Sequence, residues 1–215
     1  MARTPLLPTR GEPSSPGRDG ASYPNFPGLI EIRWHGRSGQ GVITASELLA
    51  EAALREHRYF QAFPEFGAER TGAPVIAYSR LSDLPITLHA PIVEPDIVVV
   101  LEPTLLKTVD VLYGLKEEGL VLVNTSLRPA ELRAQLPAGR YRLYVVPATR
   151  IALDNLGRNF PNTALLGALL RVAPVVKKKS ALEAMKKRLA SRPATPMVEA
   201  NILALERGYG EVREE

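Results

Sequence analysis

The chain has 215 residues, 45% of them hydrophobic, and carries 27 Lys plus Arg against 23 Asp plus Glu, for a formal net charge of +4. That length supports one substantial core, and so even a charge balance gives no ground for nucleic-acid binding without a clustered basic face. Cysteine is absent, which excludes disulfides, thiolate-ligated zinc and cysteine-held iron–sulfur clusters from this polypeptide.

No apolar run approaches the roughly 18 residues of a membrane span, and the N-terminal MARTPLLPTRGEPSSPGRDG lacks the continuous apolar segment of a signal peptide. The expected location is the cytoplasm, with no membrane contact. Residues 1–28 hold six prolines and four glycines, too little apolar content to offset ordering entropy. They read as a flexible arm, or as a segment that wraps a partner subunit. Residues 29–215 read as one domain.

From Leu29 short apolar strands alternate with helical patterns, the signature of a parallel sheet covered by helices. A strand is expected at 29–34, a helix at 42–56 with Ile43, Leu48, Ala52 and Leu54 among its apolar positions, an extended segment at 58–66 and a strand at 74–79. The short apolar run over 96–101, Asp96 to Leu101, suits a central strand buried on both faces. A helix over 104–117, a strand over 119–124, a short helix over 130–135 and a strand over 141–146 follow. Two helices, from 161 or 162 to 172 and from 180 to 190, precede a last turn or helix at 198–206. The predicted fold is α/β, Rossmann-like, with a mostly parallel sheet and helices on both faces. Lys177, Lys178 and Lys179, with Lys186, Lys187 and Arg188, read as a solvated helical face.

Between the first strand and helix lies HGRSGQGV, residues 35–42. A strand that ends in a glycine-rich turn and opens a helix aims backbone N–H groups and the positive end of the helix dipole at one point, where an anion is the natural occupant. The glycines are spaced Gly-x-x-Gly-x-Gly, not in the Gly-x-Gly-x-x-Gly order of dinucleotide folds. No acidic residue closes a clean second strand, because Pro64 interrupts it just before Glu65. A plain NAD-type dehydrogenase is therefore disfavoured. ATP hydrolysis is disfavoured too, since Val42 and Ile43 stand where a Walker loop needs its lysine. The alternative reading is that the glycines serve only a tight turn with close helix packing. The second unusual stretch, FPEFGAERTGAPV at 63–75, reads as a surface loop of the kind that carries binding functions. Its Glu69 and Arg70 either pair in solvent, or Arg70 reads a phosphate or carboxylate. Ser38, His35, His57 and His89 show no paired spacing, so neither a catalytic residue nor a metal site is read in this chain.

HGRSGQGV followed by FPEFGAERTGAPV resembles the gamma subunit of the 2-oxoacid:ferredoxin oxidoreductases, the pyruvate:ferredoxin oxidoreductase family. The resemblance covers residues 29 to about 205 and extends to NTALLG at 162–167. It implies a multi-subunit enzyme (a pyruvate synthase or relative) that decarboxylates a 2-oxoacid on thiamine diphosphate and Mg. Electrons pass through [4Fe-4S] clusters to ferredoxin, and the acyl group goes to coenzyme A. Thiamine and clusters are expected on partner subunits of alpha, beta and delta type. Carried over by the resemblance, Gly36, Arg37, Ser38, Gly39, Gln40 and Gly41 face the coenzyme A phosphates or a neighbouring subunit. Glu65, Phe66, Gly67, Glu69 and Arg70 form a second loop at that edge, and Asn162 with Thr163 approach at a helix N-terminus. Many relatives have glycine where Ser38 stands, which is compatible with negative φ there, and arginine where Thr71 stands, so one phosphate partner is missing. A free-standing Rossmann-like nucleotide-binding enzyme or sensor is the alternative.

Overall fold

The computed structural model describes residues 28–65, 72–190 and 195–215. The arm expected over 1–28 lies, apart from Gly28, outside them. One seven-stranded sheet runs in the order β2-β3-β1-β4-β5-β6-β7. Its centre, β1 (Ile30–Arg37), β4 (Ile97–Val100), β5 (Gly119–Asn124) and β6 (Tyr141–Val146), is parallel. β2 (Tyr59–Glu65) and β3 (Pro74–Ser82) extend it as an antiparallel pair, because the short connection between them cannot make a parallel crossover. The two-residue β7 (Arg213–Glu214) is antiparallel to β6.

Alternation along β1 decides its two sides. Ile30, Ile32 and Trp34 face the core beneath α1 (Val42–Arg55), α4 (Asn162–Val172) and α5 (Lys178–Ala190), and the Trp34 indole N–H donates to Ser79 Oγ at 3.0 Å. On the other face Val98, Val100, Val121, Val123, Leu143 and Val145 pack under Leu105, Val111 and Leu132, the last on the short α2 (Pro129–Arg133). α4 and α6 (Thr195–Glu211) touch backbone to backbone: a Cβ at Gly167 would fall on the carbonyl oxygen of Leu205, and one at Gly208 on that of Ala164.

The helix expected over 104–117 does not form. Pro103–Lys107 makes a 3₁₀ turn and the chain continues in irregular turns to Gly114, which has φ +69°. The cause is Arg33, whose buried guanidinium collects the carbonyls of Val111 (3.1 Å), Tyr113 (2.5 Å) and Ile92 (3.5 Å). These bonds aim the carbonyls of Val111 and Tyr113 at the Arg33 side chain and hold the segment in its irregular path. Conversely α3 (Ala148–Leu156) was not expected; it buries Ala148, Ile151 and Ala152 and ends at Gly157, φ +64°. Of the lysine run, Lys177, Lys179, Lys186 and Lys187 are exposed, whereas Lys178 pairs with Glu206 at 2.7 Å and Arg188 ties α5 to Glu47 and Glu51 of α1. No helix of the described residues is long and apolar enough to cross a membrane.

Candidate functional site

β1 and β4 are adjacent and parallel, and the chain leaves them toward opposite edges of the sheet. In such sheets the crevice beyond the strand C-termini at this reversal is where ligands bind, and here the glycine turn occupies it. Each glycine answers to a separate constraint. A Cβ on Gly36 would lie 2.5 Å from Val42 Cγ2 and 3.1 Å from Leu101 Cβ. Gly39 has φ +91° with open space around it. Gly41 is the N-cap of α1 in the left-handed region (φ 79°, ψ 27°), and a Cβ there would stand 2.7 Å from Cγ and Nδ2 of Asn162. Ser38 is not among the residues with positive φ.

Hydrogen bonds close the turn. Ser38 N–H donates to Ala73 O at 3.1 Å and Gln40 N–H to Arg37 O at 3.1 Å. The Gln40 carboxamide accepts from Arg37 N–H at 2.9 Å and donates to Glu102 Oε2 at 2.6 Å, so it braces the loop from inside. The α1 cap has no side-chain acceptor. The N–H groups of Val42, Ile43 and Thr44 therefore have no partner within the helix and carry its positive dipole end.

They open onto a cleft of about 540 Å³, a size ordinary for a small-molecule site. Its polar side is Arg37, Ser38, Gly39, Gly41, Thr44, Arg158, Asn162 and Asn201, and its apolar side Val42, Ile43, Val75, Leu156, Phe160, Leu189 and Met197. No carboxylate is among the described residues that line it. Among the described residues the Arg37 guanidinium donates to neutral oxygens, Gly72 O at 3.0 Å and Thr104 Oγ1 at 3.3 Å, and exposed Arg158 has no ion-pair partner. Asn162 is 9% exposed, and its carboxamide faces the cleft with no hydrogen-bond partner among the described residues. Thr163 turns away, its hydroxyl donating to Asn201 Oδ1 at 3.0 Å and joining α4 to α6.

The cleft thus gathers Arg37, Ser38, Gly39, Gly41 and Asn162 from the expected set. Gly36 and Gln40 support the turn from behind. Glu65 ends β2 away from the cleft and accepts the Tyr78 hydroxyl, while Phe66, Gly67, Glu69 and Arg70 lie outside the described residues. Sequence reasoning missed Arg158 and Phe160, Leu189 and Met197, and Glu102. The helix stop at Gly157, next to a lone arginine and an aromatic, was the one local signal. His35 is buried beneath the turn and accepts from Arg33 Nε at 3.1 Å. Burial first, and then the charge of Arg33, push its pKa down to about 3, so it is neutral near pH 7. His57 and His89 are exposed.

The sequence pattern described as "Pyruvate ferredoxin/flavodoxin oxidoreductase" matches residues 31–211. The chain belongs to this oxidoreductase family. It is 52% identical over 158 residues to the pyruvate/ketoisovalerate oxidoreductases common subunit gamma of Thermococcus litoralis, covering 74% of this chain and 85% of that one. The crystal structure of pyruvate oxidoreductase subunit PORC of Thermotoga maritima superposes with a TM-score of 0.77 at 41% identity, covering 87% of this chain and 99% of that one. A keto/oxoacid ferredoxin oxidoreductase gamma subunit from Geobacter sulfurreducens follows at 0.66 and 27% identity, with 85% and 97% covered. The chain is a gamma subunit of a pyruvate or related 2-oxoacid ferredoxin oxidoreductase, and its α/β fold is that of the family.

Proposed function

We propose that this gamma subunit holds coenzyme A for acyl transfer. Within the whole enzyme, pyruvate or a related 2-oxoacid, coenzyme A and two oxidised ferredoxins yield acyl-coenzyme A, carbon dioxide, a proton and two reduced ferredoxins. Thiamine diphosphate with Mg supplies the means to decarboxylate the 2-oxoacid, and its place is on a partner subunit of alpha or beta type. With no cysteine in this chain, the [4Fe-4S] clusters fall to partner subunits as well, including one of delta type. The assembly works in the cytoplasm.

What supports the reading is the composition of one cleft as the described residues line it: helix N–H groups without an intrahelical partner, Arg37, Arg158 and an Asn162 carboxamide with no hydrogen-bond partner among the described residues on one side, apolar side chains on the other, and no carboxylate among those described residues. Coenzyme A offers phosphates to the first and uncharged parts to the second. Phe66, Gly67, Glu69 and Arg70 would border the same edge, with Arg70 a second phosphate partner. No acid, base or nucleophile is needed here, since holding a thiol near an acyl donor accelerates transfer by proximity.

The test is steady-state kinetics of the assembled enzyme with Arg37→Ala. A charge-assisted hydrogen bond of roughly 1.5–3 kcal/mol predicts that KM for coenzyme A rises about ten- to a hundredfold, with KM for the 2-oxoacid unchanged. An unaltered KM for coenzyme A would leave the subunit with assembly alone.

A further inference from the structure

Glu102 lies two residues beyond the end of β4 and is not among the residues that line the cleft. Its carboxylate reaches two residues that each hold Arg37. Oε2 accepts from Gln40 Nε2 at 2.6 Å, and Gln40 Oε1 in turn accepts from the Arg37 backbone N–H at 2.9 Å. Oε1 accepts from Thr104 N–H at 3.2 Å, and Thr104 Oγ1 in turn accepts from the Arg37 guanidinium at 3.3 Å. The four residues form a closed ring, Glu102–Gln40–Arg37–Thr104, that grips Arg37 at both ends of the residue.

We propose that Glu102 is a positioning residue: by closing this ring it fixes the backbone of the glycine turn and the rotamer of Arg37 toward the cleft, without touching the ligand. Three features favour that role over simple capping of the 3₁₀ turn. A cap needs only the contact to Thr104, yet the shorter bond goes to Gln40. Gln40 is 9% exposed and lies beneath the turn, with both ends of its carboxamide engaged inside the ring. Among the described residues no carboxylate lies within bonding distance of Arg37, so the negative charge of Glu102 acts on it through neutral intermediaries and leaves its N–H groups available to an anion. Burial raises the Glu102 pKa, but the hydrogen bonds from Thr104 and Gln40 and the charge of Arg37 outweigh it and hold the group below its ordinary value, so the carboxylate is ionised at neutral pH.

The inference rests on the coenzyme A reading of the cleft, and a double-mutant cycle in the assembled enzyme separates the two. Glu102→Ala is expected to raise KM for coenzyme A about five- to tenfold, with a much smaller change in kcat at saturating coenzyme A and none in KM for the 2-oxoacid. In an Arg37→Ala background the same substitution should add less than about twofold, because its route to the ligand is already gone. Gln40→Met, which opens the ring from the other side while keeping the volume, should reproduce this pattern, and it carries the test if Glu102→Ala fails to assemble. If Arg37→Ala leaves KM for coenzyme A unchanged, the reading of the cleft falls and takes this inference with it. If Arg37→Ala raises KM but neither Glu102→Ala nor Gln40→Met does, or if their effects multiply fully with that of Arg37→Ala, the positioning role alone is overturned.

Discussion

Two glycines of the turn allow a controlled comparison. Gly39 and Gly41 both have positive φ, +91° and +79°, so an alanine at either position bears a backbone penalty of about 1–2 kcal/mol. Around Gly39 nothing lies within 4 Å of an added Cβ, whereas at Gly41 that Cβ stands 2.7 Å from Cγ and Nδ2 of Asn162. Real Cβ contacts are longer by more than half an ångström, so Asn162 must move away from the α1 cap. Gly39→Ala should therefore lower stability by about 1–2 kcal/mol and leave affinity for coenzyme A nearly intact. Gly41→Ala should show that loss plus about a tenfold rise in KM for coenzyme A, the value of one displaced hydrogen bond to a charged group. In an Asn162→Ala background the extra rise should vanish. Urea unfolding of the subunit and coenzyme A titration of the assembled enzyme give the two readouts. Equal KM values for the two alanine variants would refute the claim that Asn162 over the cap contributes to binding.

Other consequences are as direct. Gly208→Ala puts a methyl on the Ala164 carbonyl and should destabilise the subunit by about 3 kcal/mol, the upper part of the overpacking range, measured as a lower urea midpoint. His35 is neutral in the fold down to pH about 3, while the unfolded chain takes up that proton below about pH 6.5. Stability should therefore be constant above that value and fall as pH drops through the window between the two, by roughly 2 kcal/mol at pH 5. His35→Gln should flatten this part of the urea-midpoint profile. Arg158, with no ion-pair partner among the described residues, is open to a phosphate, so Arg158→Ala should reduce the preference for coenzyme A over its 3′-dephospho form by about fivefold in competition kinetics; an unchanged ratio removes it from that role.

The parallel centre was legible because strands buried on both faces must be apolar throughout: 119–124 and 141–146 agree with expectation to the residue, and 97–100 within one residue at each end. α1 was legible from its periodicity and from the turn that opens it. What failed depended on partners distant in sequence. The stretch 104–117 has helical spacing, but Arg33, some 70 to 80 residues earlier, takes its carbonyls. β1 runs three residues past the expected end because β3 pairs with it as far as Arg37. At the site, glycine spacing located the turn that opens α1, yet the opposite wall comes from Leu156, Arg158, Phe160, Leu189, Met197 and Asn201, which nothing local links to residue 37. Gln40 was expected in a loop against the coenzyme A phosphates or a neighbouring subunit; its carboxamide is engaged with Arg37 and Glu102, contacts visible only once β4 lies beside β1.

The reciprocal contact of Gly167 with Leu205 and of Gly208 with Ala164 acts as a ratchet with a single notch. If α6 slid or rotated by one residue along α4, a methyl-bearing position would meet a carbonyl where only hydrogen fits. Met197 and Asn201 ride on that helix, so the far side of the cleft is set before any ligand arrives, and little freedom remains to be surrendered on binding.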